Sequence, residues 1–139
     1  MKIESGDNFI TLNVTLEEDN SLPSHGDALI SLSIHSNGYS GHNEVWIGSE
    51  ELQEFCTSLL KLEKERKGDA TLSSISPGEL YLKLYSVDSV GHLAISGKTA
   101  YEIISSNTQI LHSVEFGFEF EPSQLVKLIN EPWVKQNAA

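Results

Sequence analysis

Residues 45–84 read VWIGSEELQEFCTSLLKLEKERKGDATLSSISPGELYLKL, and this stretch decides the fold. Apolar residues alternate with polar ones towards its ends, whereas its middle has the three- and four-residue apolar spacing of an amphipathic helix. The stretch therefore predicts a strand, a helix, a strand, a tight turn and a strand, in that order. It contains no recognisable reactive group, which favours a binding protein over an enzyme.

The central helix is predicted to begin at Gly48-Ser49 and to stop at Gly68. Its apolar stripe consists of Leu52, Phe55, Cys56, Leu59 and Leu60. Acidic residues crowd the first turns and basic residues the last, an arrangement that complements the helix dipole. The dipole thus explains the basic cluster near the end of the helix without any bound ligand.

The residues before the helix predict antiparallel strands. Apolar and polar residues alternate at 10–16 and again at 30–34. Asn37-Gly38 follows the second run and predicts a type I′ hairpin turn, in which both central residues have positive φ. The return strand ends at Ile47, just before the central helix.

The residues after the helix predict a meander of short strands. Ser76-Pro77-Gly78-Glu79 has the proline and glycine positions of a type II turn, which places Gly78 at positive φ. The apolar pattern predicts strands at residues 70–75, 80–85, 92–96, 99–105 and 109–120. Pro122-Ser123 opens a short C-terminal helix that ends before Pro132.

Together these elements predict an α+β fold. Because nearly all strand connections are short, the sheet is expected to be mostly antiparallel, either curved or a sandwich-like β-meander. It carries one central α-helix and a short C-terminal helix. The length of 139 residues and the lack of repeats or linkers predict a single globular domain over residues 1–139.

The charge balance is the strongest signal in the composition. Twenty acidic residues against nine basic ones give a net charge of −11, and Lys2 is the only base in the first sixty residues. Such a chain repels nucleic acid and anionic membranes, so neither is an expected partner. Solubility alone could explain the acidity; the alternative is an acidic face that recruits a basic protein.

The single cysteine excludes an intrachain disulfide, and the sequence shows neither a signal peptide nor an apolar run of membrane-spanning length. These features predict a cytoplasmic protein. Cys56 lies on the apolar stripe and is expected to be buried and unreactive.

No catalytic, cofactor or metal site is predicted. The sequence has no GxSxG, GxGxxG or P-loop motif, and its five histidines form no HxxxH or HxH pair. His25 and Asp27 could form a ligand pair, but the spacing suggests no third ligand. The protein is therefore not expected to be an enzyme.

Carboxylates at two places are the candidate partner-binding residues. Glu17, Glu18 and Asp19 stand together in the first loop. Glu115 and Glu119 stand on the solvent side of the last strand, where nothing nearby in sequence would raise their pKa for acid–base catalysis. The structural alternative is an ordinary solvated face; the functional one is an acidic patch for a basic partner.

Several turn, cap and core positions form a characteristic set. They are Trp46, SEEL at 49–52, GDA at 68–70, SPGEL at 76–80, VGH at 90–92 and the phenylalanine-rich strand before Pro122. Through them, residues 44–130 resemble a family of small bacterial proteins that includes the WapI-type immunity proteins. The first forty residues lie outside this resemblance.

The resemblance implies a cytosolic antidote in a contact-dependent or polymorphic toxin system, which binds a toxin domain and blocks its active site. It supplies no catalytic residues. The net charge suits this expectation, because nuclease toxins are commonly basic and an acidic surface can take the place of nucleic acid.

Two other classes of function stay open. A small-ligand module would use a pocket between sheet and helix, for which His92, His112 and Tyr101 are the best available polar residues. A structural adaptor would form a homo-oligomer through an exposed sheet.

Overall fold

Strands dominate the computed structural model, which describes residues Met1–Ala139. The first four strands form one antiparallel sheet in sequence order: β1 Lys2–Ser5, β2 Asn8–Leu16, β3 Ala28–Ser36 and β4 Tyr39–Ile47. Helix α1, Ser49–Glu65, follows. The next four strands form a second antiparallel sheet, also in sequence order: β5 Asp69–Ser73, β6 Leu80–Ser86, β7 Leu93–Ser105 and β8 Thr108–Phe120. Helices α2, Pro122–Ile129, and α3, Pro132–Asn137, end the chain.

The predicted α+β class, with antiparallel strands, a central helix and a short C-terminal helix, is confirmed. Two elements were not predicted. The four-residue strand β1 is too short to show a clear alternation. Helix α3 begins at Pro132, which occupies a first-turn position where its missing N–H is harmless; the prediction treated this proline only as a stop.

The two sheets and the helices share one core of 27 buried residues. Strand β3 alternates perfectly, with every second side chain from Ala28 to Ser36 buried. Ser36 ties this strand to the second sheet, because its hydroxyl donates to the carbonyl of Gly117 and accepts from its N–H, both at 3.3 Å. The contact joins the C-terminal end of β3 to the C-terminal part of β8.

The central helix differs from its prediction at its C-terminal end. Leu62 is buried and completes the apolar stripe, whereas Leu60 is only half-buried. The helix ends at Glu65, and Arg66 takes the left-handed cap position with φ 56°, donating its N–H to Leu62 O at 2.8 Å. The prediction gave this position to Gly68 because glycine adopts such a φ most readily.

Strand β7 corrects the sequence-based boundaries most clearly. Residues 92–96 and 99–105 were predicted as two strands, but β7 runs unbroken through Gly97. A Cβ on Gly97 would lie 2.2 Å from the Tyr81 carbonyl oxygen and 2.8 Å from the Phe116 ring. The glycine therefore permits a close approach inside the sheet, whereas the predicted strand stopped one residue before it, at Ser96.

Both predicted turns are confirmed. Asn37 and Gly38 have φ of 54° and 85°, the two positive values that a type I′ turn requires. Gly78 has φ 83°, and Glu79 N–H donates to Ser76 O across the turn at 3.3 Å. These turns set the registers of the β3–β4 and β5–β6 hairpins.

Replacing Gly78 with valine is expected to lower the free energy of unfolding by about 1–3 kcal/mol, because a β-branched residue is strained at positive φ. A Cβ at this position would contact nothing within 4 Å, so the loss isolates the backbone strain. Urea denaturation measures it, with Ser76→Val in the same turn as the control. Equal stability of the two variants would contradict the turn assignment.

Candidate partner-binding surfaces

The first candidate surface is the acidic loop between β2 and β3, whose members Glu17, Glu18 and Asp19 we call the loop carboxylates. Two backbone hydrogen bonds close the loop at its base, from Glu17 N to Asp27 O at 2.8 Å and from Gly26 N to Glu17 O at 2.9 Å. The loop carboxylates have no cationic group within 4.0 Å. An ordered loop thus presents three adjacent, unneutralised charges.

Hydrogen bonds from Ser21 stabilise the charged form of Asp19. The hydroxyl and the backbone N–H of Ser21 donate to the Asp19 carboxylate at 2.6 and 3.0 Å, and these hydrogen bonds lower the pKa of Asp19. Glu17 in turn accepts from Asp19 N at 3.1 Å. The hydrogen bonds from Ser21 thus favour the ionised form of Asp19.

The second candidate surface lies on the outer face of β8, where Glu115 and Glu119 form what we call the strand carboxylates. Glu115 is opposite Lys98 on β7, with the ammonium 4.0 Å from the carboxylate. Glu119 is opposite Ala94 and has no basic partner within that distance. Both side chains point to solvent, as predicted.

The two acidic surfaces do not form one patch. The acidic loop follows the pairing of Leu16 with Ala28 at one end of β3, whereas β8 contacts the opposite end of β3 through Ser36. A nine-residue strand is about 27 Å long. A partner must therefore either span this distance or use one of the two surfaces.

Of the two residues considered for a metal site, Asp27 has a structural role. The Asp27 carboxylate accepts from Ser49 N at 2.9 Å and so caps the start of α1 from outside the helix. His25 is exposed beside it. No group of three or more His, Cys, Asp or Glu side chains is arranged to hold a metal ion.

Cys56 is fully buried, as predicted, with its thiol 4.0 Å from the Trp133 carbonyl. Burial disfavours the thiolate and raises the pKa of Cys56 to about 12.

At pH 8 we expect a thiol reagent to label Cys56 of the native protein far more slowly than that of the denatured protein. Rapid labelling of the native protein would contradict this prediction and reopen the question of a thiol-based activity.

A projecting hairpin is the surface that sequence reasoning missed. Strand β6 pairs with β7 only as far as Thr99, so residues 101–113 form a two-stranded ribbon with both edges free, which we call the arm. Every residue of the arm is exposed. The signal was present as two adjacent apolar pairs, Ile103-Ile104 and Ile110-Leu111, which put apolar side chains on both faces of a ribbon.

A shallow cleft of about 470 Å³ lies at the base of the arm, between it and β4. Its floor is already hydrogen-bonded within the protein. The Asn43 amide donates to Thr99 Oγ1 at 3.0 Å and to Ala100 O at 3.1 Å, and the Thr99 hydroxyl donates to Glu79 O at 2.7 Å. These groups join the two sheets and are not free to bind a ligand.

The three residues considered for a small-ligand site are not brought together. Tyr101 and His112 stack on the arm with ring centroids 4.9 Å apart and planes at 10°. His92 lies at the other end of β7, where its ring contacts Asp88 at 2.5 Å. The trio therefore does not line one pocket.

The Asp88 pair is expected to give His92 a distinctive titration. The hydrogen bond and charge of Asp88 raise the pKa of His92, with smaller contributions from Glu119 and Glu121, and the same hydrogen bond lowers the pKa of Asp88. The stabilisation from His92 is present below its unfolded pKa and is lost as pH rises through its folded pKa. That from Asp88 is lost as pH falls through its folded pKa, so the pair acts best between about pH 4 and 6.5.

An NMR titration of the His92 ring tests this pair. We expect Asp88→Asn to lower the pKa of His92 relative to the wild-type protein, while the conservative Asp88→Glu keeps part of the rise. An identical midpoint in wild type and Asp88→Asn would show that the contact does not persist in solution.

None of the three helices has both the length and the apolar character needed to cross a membrane.

The chain folds into two antiparallel meanders with three helices, and it carries exposed acidic surfaces and a projecting arm. Residues 2–132 match the WapI-like immunity protein family, and the chain belongs to it. The match confirms the resemblance and extends it over β1, β2 and β3, which the sequence motifs had left out. No match was found among curated proteins or solved structures.

Family membership indicates a bacterial protein with a toxin-neutralising binding role and a toxin as partner. Immunity protein families are generally non-catalytic, which agrees with the expectation drawn from the missing catalytic motifs.

Proposed function

We propose that this chain neutralises a basic, nuclease-like toxin domain in the cytoplasm by binding it through its acidic surface and covering its active site. The observation that carries the proposal is the excess of free carboxylates. Six of the twenty acidic side chains lie within 4.0 Å of a cationic group, which leaves fourteen without one. A toxin that binds nucleic acid presents the opposite charge.

Free carboxylates act on a basic partner in two ways. At long range they steer its approach and raise the association rate. At contact they can occupy the positions where a nuclease holds phosphate groups, which excludes the substrate. Both effects require solvent-facing charges. Glu18 and Asp19 are exposed and Glu17 is half-buried, and none of the three has an ion pair within 4.0 Å.

The candidate contacts are the loop carboxylates and the strand carboxylates. The loop carboxylates are the stronger candidates, because Glu115 shares its charge with Lys98. Since the two surfaces lie at opposite ends of β3, a toxin domain that contacts both must extend along the first sheet.

The test uses the toxin domain that we expect to be encoded beside this chain's own gene, at the C-terminus of a large secreted protein. Cells that produce this domain should survive only when they also produce the chain, and the purified chain should inhibit its nuclease activity at a stoichiometry of one to one. Survival without the chain, or full nuclease activity in the presence of excess chain, would refute the proposal.

Salt dependence separates charge-driven binding from other kinds. We expect the association rate to fall steeply as ionic strength rises, because exposed charges are screened beyond about 8 Å at physiological salt. A rate that does not change across a salt series would show that the acidic surface serves solubility only.

A further inference from the structure

The arm exposes an unusual number of large apolar side chains. Five large apolar side chains project from it, with exposed fractions of 71% for Ile104, 58% for Leu111, 47% for Ile110, 46% for Ile103 and 43% for Tyr101. Clusters of exposed apolar side chains on a protein surface often mark a binding site.

The fold itself does not use these side chains. None belongs to the buried core or to the partly buried residues packed against it. Of these five side chains, Tyr101 stacks on a ring, that of His112, and this partner is itself part of the arm. The apolar groups therefore add nothing to the core, although an isolated two-stranded ribbon has little stability of its own.

Apolar side chains occupy both faces of the arm. Ile103 is directly opposite Ile110 on the face that continues the core side of the sheet. Ile104 and Leu111 lie on the other face, because side chains alternate along each strand. A ribbon with two apolar faces and two free edges suits insertion between surfaces better than flat docking on one surface.

The charges around the arm indicate what kind of surface it can contact. Glu102 is the only acidic or basic side chain of the arm other than His112. At its base stand Glu79 and the pair of Glu115 with Lys98, so acidic groups outnumber basic ones there by one, and by two with Glu102 included. A second copy of the chain would bring a further net charge of −11 and be repelled. The complementary occupant is a groove with apolar walls and a basic rim.

We propose that the arm inserts into such a groove of the toxin domain and supplies the buried, apolar centre of the complex. This inference rests on the proposed function. It assigns the arm and the acidic surfaces different parts in binding, since rim charges mainly set the association rate and buried contacts mainly set the dissociation rate.

The experiment compares binding kinetics of matched variants with the purified toxin domain encoded beside this gene. Ile104→Ser combined with Leu111→Ser removes the apolar side chains from one face of the arm. Val87→Ser combined with Val90→Ser is the control, because both valines are exposed in the loop before β7, far along that strand from the arm.

We expect the arm variant to dissociate at least tenfold faster than the wild-type protein, with an association rate changed less than twofold and an unchanged melting temperature. The control should match the wild type. Ile103→Ser combined with Ile110→Ser, on the other face, gives an independent result should the first variant lose stability. Unchanged dissociation of both arm variants would overturn the inference.

Two further outcomes distinguish the possible failures. If the wild-type chain does not bind the toxin domain, the proposed function is refuted and this inference with it. If sedimentation shows a wild-type dimer that the arm variant converts to monomer, the arm binds a second copy and the toxin groove is refuted.

Discussion

Replacing Gly97 with alanine is expected to lower the free energy of unfolding by about 3 kcal/mol or more, since forcing atoms into a packed site typically costs 1–3 kcal/mol and here the obstacle is backbone. The added Cβ would lie 2.2 Å from the Tyr81 carbonyl oxygen and 3.2 Å from Leu82 Cα. Gly97 pairs with Leu82 on one side and Phe116 on the other, so any shift disturbs both ladders of β7. Chemical denaturation followed by circular dichroism measures the loss.

Gly117→Ala provides the matched control in the neighbouring strand. Its added Cβ would lie 3.4 Å from Ile95 O and 3.5 Å from Ser96 Cβ, which are ordinary contacts. We expect this variant to lose about 1 kcal/mol or less, the usual cost of a mild substitution. Similar losses in the two variants would show that the close approach at Gly97 is not maintained in solution.

Reversing the charge of all five candidate contacts is expected to slow association with the toxin domain by about tenfold to a hundredfold at low salt, the range over which electrostatic steering acts. The lysine variant of the loop and strand carboxylates raises the net charge from −11 to −1, because each of five changes adds two positive charges. The difference should shrink above about 0.5 M salt, where the screening length is only a few ångströms. Stopped-flow mixing across a salt series measures it, and equal rates throughout would leave the acidic surface a solubility device.

The separation of the two acidic surfaces allows a sharper test. The loop carboxylates and the strand carboxylates can be reversed independently, and a control triple of Asp7, Glu44 and Glu65 changes the net charge as much as reversing the three loop carboxylates does. None of the three control residues takes part in an ion pair. If reversing the loop carboxylates slows association more than reversing the control triple does, the loop carboxylates contact the toxin domain. Equal association rates of the two variants would mean that only net charge matters.

Local signals in the sequence predicted the features of this fold that depend on neighbours in the chain. The turns at Asn37-Gly38 and Gly78 and the start of α1 all follow from residue types at adjacent positions. The strand boundary near Gly97 was predicted wrongly, because the need for a glycine there comes from the carbonyl oxygen of Tyr81 on β6. A glycine that permits close approach and a glycine that ends a strand look the same in one sequence.

The candidate site shows the same division. Its carboxylates could be named from the sequence, but their separation depends on how β8 docks at Ser36, a contact between residues 81 positions apart. The arm could not be foreseen as a projection, because β6 begins at Leu80, opposite Thr99, and this determines where β7 loses its neighbour. Partner-facing properties of this chain are therefore set mainly by contacts between its sheets.

Each sheet is assembled from one uninterrupted stretch of chain, and this order has a consequence for how the protein folds. All strand pairs join neighbours in sequence, so each hairpin closes only a short loop, a process of about 1–10 microseconds. Contacts between the sheets, such as that of Ser36 with Gly117, join residues 81 positions apart, and such long-range contacts are the ones that slow folding. During synthesis all residues of the first sheet are made before α1, but the shared core can be completed only when the second sheet and the helices have followed.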